Sequence, residues 1–147
     1  MTTKQFSAAV EACKITGWTF YSFAEKTMYN TIKDTVDNTM LLVLPDEYPT
    51  WYRGECSNSV NFEIWLGVKR NIKQLTTGTQ QHNPDSSLEQ RDTIISYAKT
   101  IITSLSASSK IQVLKADRVI FFDYTLGQSV NNQMWLKIPI EAKIIKQ

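Results

Sequence analysis

The side chains in this sequence that could do chemistry are few, and their spacing does not bring them together. There is one histidine, so a Ser–His or Cys–His nucleophilic pair could be built only around it. His82 stands in "QQHNPD", within the most polar stretch of the chain, where a base would be hard to hold against a nucleophile. It reads as an exposed loop histidine. The acids come in close pairs, Asp34 with Asp37, Asp46 with Glu47, and Asp117 with Asp123. A magnesium site or a two-carboxylate acid–base site needs such pairs to converge. Each pair lies beside a turn or loop, where acids are ordinarily solvated. Cys13 and Cys56 cannot make a disulfide framework, and no Cys or His companion stands at metal-ligand spacing. They read as free thiols of a reducing compartment. The five glycines show neither dinucleotide-binding nor P-loop spacing. The expectation is a protein with no catalytic residues, no metal and no cofactor.

Residue types that make contacts are better represented. Lys69, Arg70 and Lys73 cluster ahead of the polar segment. They could touch phosphates, form a solvated strand end, or pair with acids of a neighbouring subunit. "PTWYRGEC" places Trp51, Tyr52 and Arg53 together in a connection between strands. These are the types enriched where proteins anchor on one another, although Trp51 could equally cap the core from a loop. The formal net charge of +2 is near neutral, and a protein that wraps nucleic acid ordinarily carries a strong basic excess.

Two strands must position the remaining contact residues. In "SVNFEIWLGVKR", Val60, Phe62, Ile64, Leu66 and Val68 alternate on one face, and Asn61, Glu63, Trp65, Gly67 and Lys69 occupy the other. In "MWLKIPIEAKII", Met134, Leu136, Ile138, Ile140, Ala142 and Ile144 alternate likewise. Trp135, Lys137, Pro139, Glu141, Lys143 and Ile145 fall opposite. If the two strands are neighbours, Trp65 and Trp135 share the sheet surface that the helices leave uncovered. A half-covered sheet carrying two indoles suits a subunit better than a free monomer, so both are expected at a subunit interface. Pro139 cannot donate to a ladder, which predicts a sheet edge or a bulge there.

The other elements follow from periodicity. Thr2 or Thr3 can cap a first helix carrying Phe6, Ala9, Val10 and Cys13, with Gly17 closing it. "WTFYSF" reads as a short strand or extended aromatic segment, residues 24–39 as a polar loop, and "MLLVLP" as a buried central strand. A long polar loop covers about 70–87. Ser86 with Glu89, or Ser87 with Gln90, then offers a capping box for a second helix. Its stripe is Leu88, Ile94, Ile95, Ala98, Ile101, Ile102 and Leu105. "IQVLKADRVIFFDY" bends near Ala116–Asp117. The expected architecture is a single α+β domain over 1–147, a mostly antiparallel sheet with two helices packed on one face. The expected order is α-β-β-α-β-β, with room for an extra early strand. No run of about 20 apolar residues occurs, and "MTTKQFSAAVEACKITG" lacks the apolar stretch of a signal peptide, so no membrane association is expected.

This layout, from an N-terminal helix through "VNFEIWLGVKRN" and "SLEQRDTIISYAKTIITSLSA" to "DRVIFFDYTLGQSVNNQMWLKIPIEAKII", resembles the tail-terminator and tail-completion proteins of tailed bacteriophages. The resemblance implies a structural virion protein, made in the host cell cytoplasm. Copies would close into a ring, a hexamer or dodecamer, and bind portal, connector or tail proteins. DNA would pass through the lumen without sequence-specific binding. It also implies that the segment 70–87 reaches a neighbour or the lumen, with Lys69, Arg70 and Lys73 facing the channel. The polar insert at 24–39 departs from that pattern. Two other readings compete. One is a nucleic-acid-binding module that stacks bases on the aromatics of the open sheet face beside Lys69, Arg70 and Lys73. The other is a small enzyme built on Asp34, Asp37 or His82.

Overall fold

The computed structural model describes residues 2–23, 38–45, 59–69, 84–124 and 133–145. Its elements are α1 (Thr3–Glu11), β1 (Thr19–Phe23), β2 (Thr39–Val43), β3 (Val60–Lys69), α2 (Pro84–Ser106), β4 (Ile111–Lys115), β5 (Ile120–Tyr124) and β6 (Gln133–Ile144). The protein is mixed α+β, with one six-stranded sheet and two helices. The observed order, α-β-β-β-α-β-β-β, adds two strands to the expected one. "WTFYSF" pairs as β1, and the segment that was to bend near Ala116 breaks into β4 and β5 around residues 116–119.

The sheet runs β1-β2-β3-β6, and β4 and β5 lie end to end along the far side of β6. β1 and β2 are parallel, a departure from the antiparallel pattern expected, and the other four pairings are antiparallel. β6 is therefore central, so of the two readings of its proline, an edge or a bulge, the edge is excluded. Pro139 pairs with Glu63 on the β3 side. On the other side β5 stops at the partner of Lys137 and β4 resumes at the partner of Glu141, so Pro139 faces the gap between them. The register also shifts between Val113 and Lys115, which leaves Leu114 without a partner on β6. A residue that cannot donate is tolerated where the ladder is already broken.

Thr2 caps α1 in a full capping box. Its hydroxyl accepts from the Gln5 amide at 3.2 Å, and the Gln5 side chain accepts from the Thr2 amide at 2.8 Å. The helix ends at Ala12, well before Gly17, whose φ of +88° serves the later turn into β1 instead. α2 starts at Pro84, ahead of both predicted serine caps, because proline is preorganised for the first helical position and has no amide to leave unpaired. Ile94, Ala98, Ile101 and Leu105 form its buried line. Leu88 was expected in that stripe but is 61% exposed, lying roughly a quarter turn round the helix from it. Both helices pack on one face of the sheet. Phe6 and Val10 from α1 and Cys13 just beyond it join Ile94, Ile101 and Leu105 from α2 over Phe62, Ile64, Leu66, Leu136, Ile138 and Ile140.

Burial of Cys13 in this core raises its thiol pKa, because the thiolate would lose its hydration. A folded pKa above the unfolded one stabilises the fold fully below the unfolded value of about 8.5, and that stability is lost as pH rises through the folded value. Denaturation midpoints of the wild-type chain are therefore expected to fall relative to Cys13→Ala between pH 8 and 10. Parallel pH dependence of the two chains would show that this thiol ionises normally in the folded protein.

Candidate interaction surface

On the face opposite the helices, cross-strand pairing sets side chains in rows, with successive rows about 7 Å apart along the strands. One row is Gly67, Trp135 and Phe122, and the next is Leu41, Trp65, Lys137 and Ile120. Below them come Val43, Glu63 and Pro139, then Asn61, Glu141 and Lys115. The first two rows carry Trp135, Phe122 and Trp65, and the last two carry Glu63, Asn61, Glu141 and Lys115. The second face therefore changes character along its length.

The aromatic half is sealed. Trp135 is 0% exposed and Trp65 5% exposed within the single chain, in a cluster with Leu41 and Val43 against which Tyr21 and Phe122 pack. The Trp65 and Trp135 rings meet edge-on at 6.5 Å, Phe122 meets Trp65 edge-on at 4.7 Å, and Phe122 stacks on Trp135 at 6.3 Å. The arrangement depends on Gly67. A Cβ placed there would lie 2.5 to 2.7 Å from the six-membered ring of Trp135, so the indole occupies the space of the absent side chain. The two tryptophans share the second face, as alternation required. The expectation that they present bare indoles to a neighbouring subunit is overturned, because neighbouring aromatics and the close fit on Gly67 bury them within their own chain. Bases cannot stack on them either, so the aromatic platform of the nucleic-acid reading is lost.

The polar half holds a recess of about 470 Å³ across the rows of Glu63 and Glu141, reaching the break between β4 and β5. Its apolar lining includes Val43, Leu44, Ile120 and Pro139, and Lys115, Asp117, Arg118 and Lys137 stand round it with the two glutamates. Each acid is engaged within the chain. Glu63 accepts from the Trp65 indole N–H at 3.3 Å, Glu141 accepts from the Ser59 hydroxyl at 2.7 Å, and Asp117 lies 3.9 Å from the Lys115 ammonium. Among the described residues, Arg118 and Lys137 make no ion pair. Lys137 sits 5.8 Å over the Phe122 ring. Three acids and three bases stand round the recess, so its formal charge balances, and the two bases without an ion pair among the described residues are Arg118 and Lys137.

Sequence reasoning missed this recess, since none of Arg118, Ile120 or Pro139 had been singled out for binding. The usable signal was a proline inside an otherwise regular strand, facing a segment expected to bend. Of the other expected contact residues, Lys69 ends β3 opposite Gln133. Trp51, Tyr52, Arg53, Arg70 and Lys73 lie outside the described residues, as do His82, Asp34, Asp37, Asp46, Glu47, Cys56 and most of the loop at 70–87. Asp117 is exposed on the β4–β5 connection. Among the described residues no three acidic, histidine or cysteine side chains converge as metal ligands. No described helix is long and apolar enough to cross a membrane. No protein-family model and no curated protein matches the chain.

Gly67→Ala is expected to destabilise the fold by about 1–3 kcal/mol through overpacking against Trp135. Trp135→Ala should cost about 3–5 kcal/mol through the cavity it leaves. Urea denaturation measures both. Unchanged midpoints would mean that the aromatic half is not the sealed unit described.

Proposed function

We propose that this protein is a structural, ring-forming subunit of the head–tail junction of a tailed bacteriophage, at the neck or as the tail terminator. In the ring, copies contact one another and the adjoining portal, connector or tail proteins, and DNA passes through the lumen. The observation that carries the reading is the division of the second face. Both helices sit on the opposite side, the aromatic half closes on itself, and the polar half offers a shaped recess at a stepped edge. That is a fold completed within one chain with a surface left for docking. The order of elements, similar to that of tail-terminator and tail-completion proteins, supplies the particular assembly.

The near-neutral charge suits a lumen that lets DNA slide without gripping it. The virion is where such a subunit acts, after synthesis in the host cytoplasm.

Light scattering across a concentration series, with electron microscopy of the largest species, tests the reading. The expected result is a closed ring of six or twelve chains. A protein that remains monomeric up to about 1 mM, where even a contact worth only about 4 kcal/mol would be half-formed, would overturn it.

A further inference from the structure

Resting on the ring reading, we propose that the recess at the β4–β5 break is the socket for a knob on the next copy, formed by Leu88, Glu89 and Asp92 of α2. Leu88 is the most exposed large hydrophobic side chain among the described residues, at 61%. Glu89 and Asp92 are also exposed. Leu88 and Asp92 are four residues apart and Glu89 and Asp92 three apart, so the three form one patch on the outer side of the helix. The Arg91 guanidinium between them lies 4.5 Å over the Phe121 ring and makes no ion pair with either acid among the described residues. Neither Glu89 nor Asp92 has an ion pair among the described residues. The knob therefore offers an apolar tip flanked by unpaired acids.

The socket offers the complement. Ile120 and Pro139 give it an apolar lining, and its acids are held by Trp65, Ser59 and Lys115. Arg118 and Lys137 remain to meet carboxylates, and a guanidinium can take a carboxylate through two parallel hydrogen bonds. Knob and socket are different patches of one chain. Their contact is head-to-tail, which generates a ring when the rotation closes and cannot stop at a symmetric dimer.

The test is light scattering on the full chain carrying a reversed knob (Glu89→Lys with Asp92→Lys) or a reversed socket (Arg118→Glu with Lys137→Glu). Circular dichroism confirms folding, since all four substitutions avoid the core. Each variant alone is expected to lose the ring, with at least a tenfold weaker self-association. The chain carrying all four substitutions should regain it. An equimolar mixture of the two variants should also regain the ring, with the two chains alternating, because intact knob meets intact socket and reversed knob meets reversed socket in turn. If the wild-type chain forms a ring and both variants form it equally well, the ring reading stands and this socket is wrong. If the wild-type chain is monomeric throughout, both fail.

Discussion

The indole of Trp135 lies flat across the backbone of Gly67, and the organisation of the second face follows from that contact. Because Gly67 lacks a side chain, the ring can sink onto β3 until nothing of it is exposed. Phe122 then has a surface to stack on, and Trp65 an edge to pack against. Aromatic pairs of this geometry add about 0.5–1.5 kcal/mol each beyond the area they bury. The cluster is also tied to its polar neighbours. The Trp65 N–H donates to the Glu63 carboxylate, and Lys137 sits over Phe122. The charged recess is thus built on a packed base.

A proline in a central strand is the second constraint. β6 is twelve residues long and pairs with β3 along ten of them, so Pro139 cannot be moved to an edge. The edge yields instead. One potential long strand becomes two five-residue strands, with residues 116–119 leaving the sheet and Leu114 unmatched. Short, broken edges resist pairing with the edge of another sheet. The proposed association through side chains in the recess, in preference to strand addition, would follow from the same break that forms the recess.

Much of the fold was legible because alternation has only one solution for a strand with a single fully apolar face. Val60 through Val68 and Met134 through Ile144 landed on the helix side as their periods required. The alternation also put Trp65 and Trp135 on one surface correctly. It could not say whether that surface was wet, since period reports facing and burial depends on what packs beside each ring. Gly67 held that information, but a lone glycine on a polar-looking face does not identify the side chain that fills its space. Pro139 was read as an edge or a bulge, and the ladder beside it is irregular in a central strand, because a sequence shows the missing donor without showing which neighbour gives way. Leu88 misled for another reason. Leu88, Ile95 and Ile102 recur every seven residues, a line flanking the fully buried one, and only the later two half-bury against the core. Trp51, Tyr52, Arg53, Arg70 and Lys73 fall in stretches of sequence where no periodicity constrains placement.

Sealing the indoles inside each chain changes what kind of subunit this can be. A chain that needed a neighbour to cover two tryptophans would expose a sticky surface until assembly and could fold only as it assembled. Here both described tryptophans of the second face are already buried within the single chain, so in the proposed ring folding would not wait on a neighbour to cover them. In the proposed ring the contact would join the exposed Leu88 tip to surface ion pairs, and exposed ion pairs are individually worth about 0–1 kcal/mol. Such a contact is weak in a pair of copies, which protects free subunits from indiscriminate clustering. In the proposed ring closure would change the balance, because every chain in a ring is held on two sides and must break both contacts to leave. A near-neutral chain opposes that closure with little long-range repulsion. Local complementarity between a few side chains is then enough to decide whether copies join.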